Sequence, residues 1–136
     1  MTTPDQLASV RYIVDDVTAC VEFYTTHLGF MLNHDAAPAF ADVTRGPLRL
    51  LLSGPTSSGA QTLDDGSRPE PGGWNRIHLV VDDLDAEISR LRAAGVTFRN
   101  DVVTGPGGHQ ILLTDPSGNL IELFEPASGP AAPAKP

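Results

Sequence analysis

Two stretches of this chain follow one plan. "YIVDDVTACVEFYTTHLGF", beginning at Tyr12, and "LVVDDLDAEISRLRAAGVTF", beginning at Leu79, each pass from an apolar strand through an Asp-Asp pair into a helical pattern that stops at a glycine. Asp15-Asp16 correspond to Asp82-Asp83, and Gly29 to Gly95. Val17, Val21, Tyr24 and Leu28 recur at helical spacing in the first stretch, as do Leu84, Ile88 and Leu91 in the second. A helix with one apolar stripe must cover something.

Three strand-like runs follow each helix, at about 30–35, 39–45 and 48–53, and again at about 96–102, 109–114 and 119–124. The order is βαβββ twice, an α+β plan. It predicts one domain over residues 1–126, made of modules at 8–53 and 75–126. The linker at 54–74, "GPTSSGAQTLDDGSRPEPGGW", is polar and rich in Pro and Gly, the composition of a binding loop, a lid or a disordered segment. From 127 to 136, "ASGPAAPAKP" has nothing large enough to pack and is expected to be disordered.

The Asp pairs read as helix caps rather than metal ligands. An Asp just before a helix accepts from its free N–H groups and complements its dipole. Gly29 and Gly95 suit the position just past a helix end, where the backbone turns left-handed.

Charge and length exclude some partners. The 136 residues, 40% of them hydrophobic, suffice for one core, and a formal net charge of −8 argues against nucleic acid or an anionic membrane surface. No apolar run approaches the roughly 20 residues of a membrane-spanning helix. "MTTPDQLAS" lacks the basic and apolar parts of a secretory signal, and Cys20 is the only cysteine, so a cytoplasmic location is expected. Cys20 has no evident base beside it and reads as a packing residue.

The acid that needs explaining is Glu122, inside the apolar run of "DPSGNLIELFEP". A duplicated βαβββ module ending in that motif, with "FYTTHLGF" in its first helix, resembles the vicinal oxygen chelate superfamily of glyoxalases, bleomycin-resistance proteins and extradiol dioxygenases. The resemblance covers about residues 8–126. It implies a partly open mixed-sheet barrel around a cleft that holds a divalent metal or a small molecule, and it implies a homodimer.

In the metal enzymes of that family the position of Glu122 supplies a metal-binding carboxylate. The family's spacing places the other ligand positions at Ser9 and Arg76, and matching "GPLRLLL" to "GNLIELF" places the last at Leu50. None of these three suits a catalytic divalent ion, because zinc takes Cys, His or carboxylate and a guanidinium keeps its proton. The resemblance thus implies a protein without the usual metal site, in which Arg76 and Glu122 form an ion pair.

Strand alternation sets Arg76, His78 and Val80 on one face, and Gln110 or Leu112 across from Glu122. Arg11, Leu52, Trp74 and Phe124 complete the expected small-molecule contacts. The leading expectation is a small-molecule-binding protein without a cofactor, like the bleomycin-resistance branch. One alternative is a metal-dependent lyase, isomerase or dioxygenase using Glu122 with His78 or His109. The other is a metal-free enzyme with Glu122 as catalytic base. His27 and His34 read as helix-packing or surface residues.

Overall fold

A computed structural model describes residues 7–127, so the expected tail lies, apart from Ala127, outside the described residues. The chain forms β1 (Ala8–Ile13), α1 (Val17–His27), β2 (Met31–Ala36), β3 (Phe40–Arg45) and β4 (Leu48–Ser53). After a short 3-10 turn at Ser58–Ala60 come β5 (Arg76–Val80), α2 (Leu84–Ala93), β6 (Val103–Gly105), β7 (Gly108–Thr114) and β8 (Leu120–Pro126). The fold is α+β, two βαβββ modules in tandem, with two separate four-stranded mixed sheets. The chain divides into two compact units. One runs to Gly73 and includes Asp115–Asn119; the other holds Trp74–Thr114 and the strand from Leu120 onward.

Both helices begin and end as their sequences require. Asp16 accepts from Ala19 N at 3.0 Å, and Asp83 from Ala86 N at 3.1 Å. Gly29 and Gly95, one residue past each cap, have φ of 75° and 85°, a conformation glycine adopts without a Cβ clash.

In the first unit the strand order is β1-β4-β3-β2, with β1 parallel to β4. Tyr12, Leu50, Leu52, Ala41 and Val43 share one buried face, and α1 packs on β3 and β4. The helix buries Val17, Cys20, Phe23 and Tyr24, while Val21, expected on that stripe, is only half-buried.

The "DPSGN" turn belongs to this unit as an anchor. Asp115 Oδ1 accepts from Ser117 N and Asn119 N, while its Oδ2 accepts from the Tyr24 hydroxyl at 2.8 Å. Asn119 Nδ2 donates to Ile13 O at 2.9 Å, and Ser117 Oγ accepts from Asp15 N at 2.8 Å. Asp115 and Asn119 are buried, and their polar atoms are matched one by one.

In the second unit the order is β5-β8-β7-β6, with β5 parallel to β8. Ile77, Leu79, Ile111, Leu113, Ile121 and Leu123 are all buried on one face of this sheet, and α2, which packs on β8, buries Leu84, Ile88 and Leu91. The strand expected at 96–102 is not regular. Phe98 forms a lone bridge with Leu113, and the Asn100 side chain takes Leu112 N at 2.9 Å, interrupting the ladder with a side-chain acceptor. The second strand of this module, β6, instead lies at Val103–Gly105.

Candidate functional site

Alternation in β5 gives the second sheet two unlike faces. Ile77 and Leu79 point to the core, while Arg76, His78 and Val80 are exposed. The register sets Arg76 beside Leu120, His78 beside Glu122 and Val80 beside Phe124; across β7, Leu112 pairs with Glu122 and Gln110 with Phe124. The expected contacts Arg76, His78, Gln110, Leu112 and Phe124 therefore share one face with Glu122.

Glu122 is 7% exposed, and each of its oxygens faces a nitrogen. Arg76 Nε donates to Oε1 at 3.1 Å, and His78 Nε2 lies 3.5 Å from Oε2. The His78 ring also leans on Phe124, with centroids 4.9 Å apart and planes 37° from parallel. This answers the question posed by an acid in an apolar strand: Glu122 anchors a guanidinium and an imidazole on an otherwise open sheet face.

Trp74, two residues before β5, is 67% exposed, and the Arg99 guanidinium sits 4.9 Å from its ring centroid. Arg99 N donates to Leu112 O. Its neighbour Phe98 lies under Arg92 of α2, on the helix side, so alternation turns Arg99 to the Glu122 side. Nothing in the sequence marked Arg99, because the segment around it has no strand period.

The first unit has a comparable face. Ser9, Arg11, Arg49, Leu51 and Asp42 fall on one side of its sheet by register. Arg11 Nη1 donates to Ser53 Oγ at 2.8 Å. Asp42, fully buried, accepts from Arg49 Nε at 2.6 Å and Asn33 Nδ2 at 3.2 Å through Oδ2, while its Oδ1 has no hydrogen-bond partner among the described residues.

Here the sequence expectation for Leu50 and Leu52 needs correction. Both are fully buried on the opposite, helix-side face, and Leu48 follows the same phase. Val14 N bonds to Ser53 O as Val81 N bonds to Phe124 O, so Leu51 is the internal counterpart of Glu122. A slip of one residue along a strand exchanges its faces, and "LRLLL" offers apolar residues in both phases.

His109, named as an alternative ligand, bonds through Nδ1 to Thr104 Oγ1 at 2.9 Å on the helix side of the sheet, away from the Glu122 face. Among the described residues no three His, Cys, Asp or Glu side chains converge on one point. Burial pushes the Cys20 thiol up to about 12, against its use as a nucleophile.

Fold and face together describe a tandem βαβββ protein with a polar cluster on an exposed sheet face. The chain belongs to the glyoxalase/bleomycin resistance protein/dioxygenase superfamily, whose family model matches residues 6–123. It is 29% identical over 130 residues to the uncharacterised protein YaeR of Escherichia coli (strain K12), covering 88% of this chain and 95% of that one. TnmS3, an antibiotic binding protein from Streptomyces sp. CB03234, shares 26% identity at a TM-score of 0.67, over 89% of this chain and 95% of that one. The lactoylglutathione lyase of Agrobacterium tumefaciens has a TM-score of 0.71 at 22% identity, over 91% and 96% of the two chains, a likeness of fold. No helix among the described residues is long and apolar enough to cross a membrane.

Proposed function

We propose that this protein binds a small, partly apolar molecule on the Glu122 face and does so without the divalent metal of the family's enzymes. The observation that carries this reading is the Arg76 guanidinium donating to Glu122 Oε1. At the four ligand positions, with the strand register applied, stand Ser9, Leu51, Arg76 and Glu122. One hydroxyl, one hydrocarbon, one cation and one carboxylate do not fit a divalent ion. A metal would also have to displace Arg76 from the carboxylate, at a cost in both pairing and like-charge repulsion.

A few polar groups set among Phe124, Leu112 and Val80 suit a small ligand, apolar in part. The antibiotic binding relative is consistent with that use. Glu122 as a general base is disfavoured because each of its oxygens already faces a nitrogen. The protein is further proposed to act as a homodimer. The edge strand β2 leaves Met31 73% and Leu32 46% exposed, and an uncovered apolar edge favours pairing.

The test is a thermal-shift screen of small aromatic and antibiotic compounds against wild type, Glu122→Gln and Phe124→Ala. The reading expects compounds that raise the melting temperature of wild type and lose their effect in Phe124→Ala. Compounds that stabilise all three proteins equally would place binding elsewhere.

A further inference from the structure

The charge on the second sheet's open face runs against the charge of the chain. The protein carries a formal −8, yet the register and the Trp74 contact give this face two guanidiniums, Arg76 and Arg99, beside the Glu122 carboxylate. Arg76 is held by Glu122. Arg99 makes no ion pair with a carboxylate among the described residues; its guanidinium rests only on the Trp74 ring. An exposed guanidinium held in place by an indole keeps its N–H fork open for a planar oxyanion.

The register gives the spacing. His78, Glu122 and Leu112 are successive neighbours across β5, β8 and β7, and Arg99 N bonds to Leu112 O. With strands about 4.8 Å apart, the Arg99 backbone stands roughly 10 Å from that of Glu122. His78, at one end of this row, leans on Phe124, and Arg99, whose backbone is at the other, rests its guanidinium on Trp74. Between them lie Glu122, held by Arg76, and the hydrocarbon of Leu112. The face thus joins apolar contact surface at Phe124 and Leu112 to a carboxylate already held by Arg76 and to a guanidinium at Arg99 that no carboxylate holds among the described residues.

We infer that the ligand of this face is an aromatic anion, its ring system against Phe124 and Leu112 and its carboxylate or equivalent oxyanion on Arg99. The inference rests on the proposed binding role and adds the chemical class of the ligand. Aromatic surface supplies contact area, and the guanidinium on this face that no carboxylate holds among the described residues supplies the selection.

Equilibrium dialysis with three probes of one shape tests it: 2-naphthoate, 2-naphthamide and 2-naphthylmethylammonium. Wild type should retain the anion at least tenfold more strongly than the neutral or cationic probe. Arg99→Gln should bring naphthoate down to the level of naphthamide, and Arg99→Lys should restore part of the preference. Arg99 is exposed, so melting temperatures of the variants should match wild type and exclude misfolding. Equal retention of the anion and the amide, or a preference unchanged in Arg99→Gln, would overturn the inference while leaving a binding role in place. Failure of all three probes to bind would overturn both.

Discussion

Arg76 and Glu122 meet across a parallel strand pair, Nε to Oε1 at 3.1 Å, with the acid almost buried and the arginine side chain 31% exposed. That asymmetry decides what each substitution does. Arg76→Leu leaves a buried carboxylate with His78 as its remaining ion-pair neighbour among the described residues and should destabilise on the order of 3 kcal/mol. Glu122→Leu frees an arginine that can turn to water and should cost less. The double replacement should be milder than the sum of the two, as read from urea unfolding midpoints in a double-mutant cycle. Additive losses would show that the two side chains are not coupled.

Tyr24 donates to Asp115, the residue on which the "DPSGN" turn is built. Tyr24→Phe removes one donor from a buried carboxylate and keeps the ring, so a loss of about 1–3 kcal/mol is expected in denaturant unfolding. A wild-type midpoint would mean that the hydrogen bond is not held in solution.

Cys20 sets a pH dependence at the alkaline end. Burial raises its folded-state value from 9.0 to about 12. The unfolded chain ionises this thiol above pH 9 while the folded chain keeps it protonated. Its contribution to stability is therefore full below pH 9 and is lost as the pH rises toward 12. The stability difference between wild type and Cys20→Ala should narrow from pH 8 to pH 11. A constant difference would contradict the assignment.

The proposed pairing through the exposed apolar edge of β2 predicts a dimer that persists across the micromolar range. Sedimentation should give twice the 14.4 kDa chain mass, and Leu32→Glu should shift the protein toward the single chain. A monomer in wild type would remove the proposed pairing.

Much of the second module's face was legible because a five-residue strand with strict alternation has only one phase: Arg76, His78 and Val80 must point together. The helix caps were legible for the same reason, since an Asp before a helix and a Gly after it each answer one backbone need. The first module was harder. "LRLLL" is apolar in both strand phases, so the burial of Leu50 rather than Leu51 depends on its pairing with Val10 and Val43, contacts distant in sequence. Nothing in the sequence around Asp42 signals its burial, which its bond to Arg49 accounts for. Arg99 lies in a segment whose ladder is broken by Asn100, where no periodicity could mark its face.

The central claim is that a guanidinium has replaced the metal at Glu122, and elemental analysis of the purified protein tests it most directly. The account predicts well under one equivalent of Ni, Zn, Fe or Mn per chain, with a melting temperature unmoved by a chelator. One tightly held equivalent, lost together with stability on chelation, would contradict it and return Glu122 to the role of metal ligand.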